Sequence, residues 1–401
     1  MSGVVVIGAG QAAASLVARL RAQGYRDPVT VIGEEPVVPY QRPPLSKDYL
    51  LGRMTLDRLF LRPESFYADN DVTLHLSDTA VAIDRADQQV VAGGHSFAYD
   101  QLALCTGSVP RRLPAAIGGE LEGVHVVRTL RDVDAMAPRF TKGARVLIVG
   151  GGYIGLEAAA VAAKLGLKVV LVEAAERILQ RVAAPETSDY FRDLHAAQGV
   201  DIREGTGLVR LLGDTHVTGA ELGDGSTIEI DFAIVGVGIT PATALAEAAG
   251  LEIDNGISVN ALGQTSDPRI WAAGDCASFP AGDARMRLES VGNAIDMGEL
   301  VADNIMGAGR AYVAKPWFWS DQYECKLQIA GLNTGYDRIV TRKAEGAQSH
   351  WYYAGDKLLA VDAMNDSRAY MVGKRLIEAG KSADPAVVAD PSANLKPLLK
   401  A

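Results

Sequence analysis

"RVLIVGGGYIGLEAAAVAAKLGLKVVLVEAAE", residues 145–176, runs from apolar β-branched residues through three glycines into an alanine-rich stretch, then into a second apolar run ending on Glu173. Residues in that order read as strand, tight turn, helix and strand. The order occurs twice. "VVVIGAGQAAASLVARLRAQGYRDPVTVIGEE", residues 4–35, repeats it, with Gly8 lying 142 residues before Gly150.

A phosphate-binding turn explains the spacing of the small residues. Gly8 makes the turn, Gly10 lets a pyrophosphate approach the backbone, and Ala13 packs helix on strand; Gly150, Gly152 and Gly155 take the same parts in the second copy. The helix N-terminus then offers free N–H groups and the positive end of its dipole to the phosphates. Glu34 follows Gly8 by 26 residues and Glu173 follows Gly150 by 23. A carboxylate at that strand end accepts bonds from ribose hydroxyls and repels a 2′-phosphate, so Glu173 favours NADH, while Arg177 nearby keeps NADPH open. Two such units mean two dinucleotide sites.

Composition narrows the class. The 401 residues are 48% apolar with 42 glycines, which suits a multidomain α/β protein. A strand-like run follows Met1 almost at once and no uncharged apolar run approaches membrane-spanning length, so the expectation is a soluble, cytoplasmic chain. A net charge of −10 disfavours nucleic acid and anionic membranes. Cys105, Cys276 and Cys325 are far apart in sequence and the six histidines are scattered, so neither a redox dithiol nor a metal site is signalled.

A third segment, "QTSDPRIWAAGD" at 264–275, places a buried strand before Gly274 and Asp275. With it the chain resembles the FAD-dependent pyridine-nucleotide oxidoreductases. "YQRPPLSK" at 40–47, "GGGYIGLE" at 150–157, "ESVGNA" at 289–294 and "WFWSDQY" at 317–323 make it similar, from end to end, to the ferredoxin reductases of bacterial oxygenase systems.

That resemblance implies an α/β fold of two Rossmann-like, glutathione-reductase-like domains: FAD on 1–109 and 239–312, NAD on 110–238, and a C-terminal α+β domain on 313–401. It implies FAD contacts at Gly8, Gly10, Ala12, Ala13, Glu34, Arg42, Lys47, Val81, Arg128, Asp275, Val291 and Trp319. NAD contacts fall at Gly150, Gly152, Ile154, Gly155, Glu157, Glu173 and Gly238. Read alone, Lys47 after two prolines is a solvated loop lysine. In the family its counterpart lies beside flavin N5 and pairs with the counterpart of Glu157, so Lys47, Glu157 and Trp319 are the expected catalytic residues. Two departures stand out: Met297 and Gly298 occupy positions where the family commonly has Gln-Ala or Gln-Gly, and Cys105 stands where it has Ala.

The implied activity is NADH-dependent reduction of a small acidic two-iron two-sulfur ferredoxin that serves a monooxygenase or a ring-hydroxylating dioxygenase. An NADH oxidase or diaphorase acting on a small acceptor and an NADH-sensing flavoprotein are the rival readings. The chain is expected to be a monomer or weak dimer. Two basic segments, 42–62 and 310–343, each carry a surplus of three positive charges and are candidates for ferredoxin docking. Trp317 and Trp319 share one strand face, which leaves Trp317 as core or partner surface. "FAIVGVGITP" reads as one return strand, a helix is expected between a cap at Asp366 or Ser367 and Gly380, and the tail to Ala401 reads as loosely ordered.

Overall fold

The computed structural model describes residues 2–399. The chain forms two compact units. The first runs to Arg42 and takes in Thr55–Val109 and Ile239–Lys315; the second holds Pro43–Met54, Pro110–Gly238 and the chain from Pro316.

In the first unit five parallel strands stand in the order Ile270–Ala272, Gln101–Leu104, Val4–Ile7, Val29–Gly33 and Val72–Leu76. Val4–Ile7 is central and buried along its whole length, which is why it is uniformly apolar rather than alternating. The helix Gln11–Ala22 follows and buries Ala13, Leu16, Val17 and Leu20. Against it lies the helix Val291–Ile305, and Gly298 makes their approach possible: a Cβ there would stand 2.5 Å from the Ala12 carbonyl oxygen. Met297 beside it is fully buried in the hydrophobic core. These two residues are therefore packing residues of the unit. Gly298→Ala is expected to destabilise the protein by about 1–3 kcal/mol, because the backbone clash outweighs the roughly 1 kcal/mol that alanine gains in helix propensity. Thermal unfolding checks it, and an unchanged or raised Tm would refute the packing argument.

The second unit repeats the plan. Its parallel strands run Asp201–Arg203, Lys168–Val172, Arg145–Val149, Phe232–Val235 and Val124–His125, with the helix Tyr153–Lys164 after the glycine turn. "FAIVGVGITP" is not one strand. Gly238, at φ +101°, separates Phe232–Val235 from a short Ile239–Pro241 strand that belongs to the first unit.

The chain then builds an antiparallel sheet in the order Trp317–Gln322, Cys325–Gly331, Lys357–Met364, Ala347–Ala354 and Arg338–Ala344. Trp351 and Tyr353 pack beneath the helix Ser367–Glu378, which Asp366 caps by accepting from Ala369 N–H and which ends before Gly380 at φ +65°. Tyr352 points to the opposite face, against Ala184. There the Thr187 hydroxyl donates to Asp362 Oδ2 at 2.8 Å, and Tyr352 donates to the same carboxylate, joining the helix Pro185–Ala196 to the sheet. Burial pushes the Asp362 carboxyl up to about 6 and the His350 imidazole down to about 4.

The tail corrects the sequence reading. It forms the helix Pro385–Ala389 and buries Val388 and Leu395. Arg342, itself buried, holds it by donating to the carbonyls of Val388, Asp390, Pro391 and Ala393. Arg342 is thus lost to the surface charge of the 310–343 segment, whose surplus falls from three to two.

Candidate functional site

The two glycine turns have closely similar geometry. Gly8 sits at φ +104° and Gly150 at φ +106°, where glycine alone is unstrained. A Cβ on Gly8 would lie 2.1 Å from the Cys105 carbonyl, and one on Gly150 would lie 2.4 Å from that of Gly236. By contrast, a Cβ on Gly10 or Gly152, each the N-cap of its helix, would meet no atom within 4 Å. Space therefore lies open at the helix N-termini, where a pyrophosphate belongs. Gly155 lets its helix press on the turn, since a Cβ there would stand 2.1 Å from the Gly150 oxygen. Ala13 has the corresponding place and is fully buried. These residues fit a dinucleotide in each unit.

Other residues expected in the first unit's site are dispersed along its strand ends and loops. Glu34 is exposed just past the strand Val29–Gly33. Its neighbour Glu35 is taken by Arg42 at 2.7 Å and by the Tyr40 hydroxyl at 2.7 Å. Asp275 follows the buried strand Ile270–Ala272 and accepts from the Ser108 hydroxyl at 3.0 Å. Val291 opens its helix after the Ser290 cap, and Ala12 lies in the first turn of its own. Val81 is largely exposed on the strand Ala80–Asp84. Arg128 belongs to the second unit, directly before the Thr129 cap of the helix Leu130–Met136.

In the second unit Ile154 is exposed at the helix start and Gly238 ends the Phe232–Gly238 stretch. Glu173 accepts from Gly151 N–H at 2.7 Å and from Ala175 N–H at 2.8 Å, so its carboxylate is fixed beside the glycine turn. Arg177 is committed elsewhere: it donates to the Ser188 hydroxyl and to the carbonyls of Gln180 and Ala183.

Lys47, Glu157 and Trp319 come together within the second unit. Pro43–Ser46 forms a single tight helical turn, stiffened by its prolines, that delivers Lys47. Lys47 Nζ lies 3.0 Å from Glu157 Oε1, 3.4 Å from Asp321 Oδ2 and 5.9 Å from the centre of the Trp319 ring. Glu157 is almost wholly buried, yet both its oxygens are satisfied: Ser320 donates to Oε1 at 2.7 Å and Ser46 to Oε2 at 2.7 Å. Burial raises its carboxyl above the ordinary range, against the lowering effect of Lys47 and then of the two serines. Ser46, Ser320 and Asp321 lie inside the stretches "RPPLSK" and "WFWSDQY", and nothing in their residue types or spacing singled them out. On the strand Trp317–Gln322 the two tryptophan rings stack at 5.5 Å, while Phe318 packs on Tyr153 at 4.7 Å.

The cysteines are free and buried. Desolvation raises the thiols of Cys105 and Cys276 and pushes that of Cys325 up to about 11, so none supplies a thiolate at neutral pH. Among the described residues no cluster of three or more His, Cys, Asp or Glu side chains could hold a metal ion, and no helix is long and apolar enough to cross a membrane.

Comparison with known proteins agrees with this architecture. The pyridine nucleotide-disulphide oxidoreductase family matches residues 2–298, and the reductase C-terminal family matches 317–399. A ferredoxin–NAD(P)(+) reductase of Sphingomonas sp is 43% identical over 401 residues, covering 98% of this chain and 96% of its own. Putidaredoxin reductase of Pseudomonas putida is 40% identical over 408 residues, covering 99% and 97%. The crystal structure of the covalent putidaredoxin reductase–putidaredoxin complex superposes with a TM-score of 0.95 at 39% identity, over 99% of this chain and 98% of that one. With its paired glycine turns and a C-terminal domain matched by the reductase family, this chain belongs to the pyridine nucleotide-disulphide oxidoreductase family.

Proposed function

We infer that this chain is an NADH-dependent, FAD-containing ferredoxin reductase that supplies a two-iron two-sulfur ferredoxin of an oxygenase system. The observation that carries the reading is the pairing of two open glycine turns with three buried, protonated thiols. With no thiolate to take electrons as a disulfide or sulfenate, an external one-electron carrier is the natural acceptor. FAD, when bound, accepts the hydride of NADH and gives up electrons singly.

The chain's own residues divide the work. The first unit binds FAD through Gly8, Gly10, Ala12, Ala13, Glu34, Arg42 and Asp275, with Val81, Arg128, Val291 and Trp319 as further contacts. The second binds NADH through Gly150, Gly152, Ile154, Gly155, Glu173 and Gly238. Lys47 supplies the cation that stabilises negative charge on the reduced flavin. Glu157 holds Lys47 in the absence of NADH, then releases it to accept a hydrogen bond from the nicotinamide carboxamide. The free thiols suit a reducing cytoplasm.

Stopped-flow reduction by NADH, followed by mixing with oxidised ferredoxins of oxygenase systems, tests the activity. Rapid electron transfer to a ferredoxin is expected, together with slow direct oxidation by oxygen. Fast NADH consumption without added ferredoxin would make the chain an oxidase. Docking is expected to be electrostatic, through exposed cations such as Arg53, Arg58 and Lys326. Raising the salt shortens the Debye length from roughly 8 Å at physiological strength, so ferredoxin turnover should fall several-fold while reduction of a small neutral acceptor stays level. Salt-independent turnover would mean an apolar interface.

A further inference from the structure

Glu157 terminates a chain of hydrogen bonds that extends well beyond Lys47. Ser320 donates to Glu157 Oε1 at 2.7 Å, Gln322 Nε2 lies 3.1 Å from Ser320 Oγ, His195 Nε2 lies 2.8 Å from Gln322 Oε1, and the Tyr323 hydroxyl lies 3.1 Å from His195 Nδ1. Ser320, Gln322 and His195 are completely buried. The positions come from a nucleotide-domain helix, the edge strand of the C-terminal sheet and the helix Pro185–Ala196.

The polarity of this chain follows from its end. An ionised carboxylate only accepts, so the single Ser320 proton goes to Glu157 and Ser320 must accept from the Gln322 amide N–H. That orientation turns the Gln322 oxygen toward His195, whose Nε2 must then carry the proton. Nδ1 is left bare and accepts from Tyr323. Every dipole in the series points its positive end at Glu157.

Tyr323 adds an independent observation. It occupies the first position of the two-residue hairpin between Trp317–Gln322 and Cys325–Gly331 with φ +54°, the left-handed region that favours glycine. A tyrosine kept there places its ring edge-on to His195, with centroids 5.0 Å apart.

We propose that Ser320, Gln322, His195 and Tyr323 are positioning residues for the reductase reaction, a polarised relay of hydrogen bonds that keeps Glu157 ionised and oriented as it exchanges Lys47 for the nicotinamide. The inference rests on the role given to Glu157 above. Burial lowers the His195 imidazole to about 4, so it remains a neutral dipole at working pH. The charged groups around the relay are Lys47 and Asp321 at the Glu157 end, and Lys164 with Glu324 beside Tyr323.

The first test reads the ring nitrogens of His195 by NMR in the flavin-loaded protein with isotope-labelled histidine. A neutral Nε2–H tautomer that persists well below pH 6 is expected; an Nδ1–H tautomer overturns the proposal, since it reverses the dipoles. The second follows the pH profile of flavin reduction by NADH. Loss of a donor should raise the Glu157 carboxyl and move the acid limb upward, by about one pH unit in Ser320→Ala and about half a unit in His195→Leu. His195→Gln, whose amide N–H can stand where Nε2–H stood, should restore the wild-type limb. If Ser320→Ala and His195→Leu leave the limb in place while Glu157→Gln slows reduction, the relay is wrong and the role of Glu157 stands. If Glu157→Gln reduces flavin at the wild-type rate, the role of Glu157 itself fails.

Discussion

Lys47→Ala is expected to slow flavin reduction by NADH about 10²-fold while the purified protein stays yellow. The magnitude is that of removing one preorganised group facing charge that develops during the reaction. FAD should stay bound because the other residues proposed to contact it, including Gly10, Ala12, Glu34 and Asp275, belong to the first unit and are untouched. The substitution also strips Glu157 of its cation. A nearly fully buried carboxylate left with its two serine donors but no counter-charge is costly by about 3–5 kcal/mol, and the cheaper course is to take up a proton. Because burial already holds the Glu157 carboxyl above its ordinary value, the folded protein binds this proton more tightly than the unfolded chain does. That contribution to stability is complete below the unfolded value of about 4.3 and fades as the pH rises through the folded one. In Lys47→Ala the window should reach higher pH, which denaturation at several pH values would show. Colourless but folded protein would make Lys47 chiefly a binding residue, and an unchanged reduction rate would remove it from the chemistry.

The second large effect is discrimination between nicotinamide cofactors. The Glu173 carboxylate is fixed by Gly151 and Ala175 N–H groups beside the second glycine turn, where on the proposed reading it would meet the adenosine ribose. A 2′-phosphate brought against it pays a like-charge penalty of about 3 kcal/mol at intermediate dielectric, which is roughly a hundredfold in second-order rate. Arg177, the cation that could have offset this, is bound to Ser188 and two carbonyls, so the structure leaves the repulsion standing. NADH should therefore reduce the flavin about 10²-fold faster than NADPH at limiting concentration. Glu173→Ala should narrow the ratio by losing the ribose acceptor and freeing two N–H groups for an anion. Equal second-order rates for the two cofactors with the unaltered protein would refute the assignment.

Much of this fold was legible because its signals are local. Apolar runs, glycines at turn positions, an alanine-rich helical stretch and an acidic strand end all lie within about 30 residues, and each is set by backbone sterics or burial that acts between near neighbours. The strands after Lys315 and the helix Ser367–Glu378, with its Asp366 cap and Gly380 stop, were readable for the same reason. The tail was not. It reads as loose, whereas its order depends on Arg342, at least 46 residues away in sequence, donating four backbone hydrogen bonds inside the domain. Met297 and Gly298 stand out in the sequence only as a departure from the family, and it takes the structure to show that packing governs them: Met297 is fully buried, and a Cβ on Gly298 would stand 2.5 Å from the Ala12 carbonyl oxygen.

By itself, the sequence determined that there are two dinucleotide-binding units, which carboxylate ends each, and that Lys47 stands on a stiff turn, since periodicity and glycine conformation are properties of contiguous residues. Only the tertiary structure decided what Lys47 and Glu157 are held by. His195 lies 127 residues from Gln322, and Ser320 lies 163 from Glu157, yet a buried carboxylate that can only accept orders every proton between them. Such an order belongs to side chains brought together from distant parts of the chain, and no pattern along the backbone encodes it.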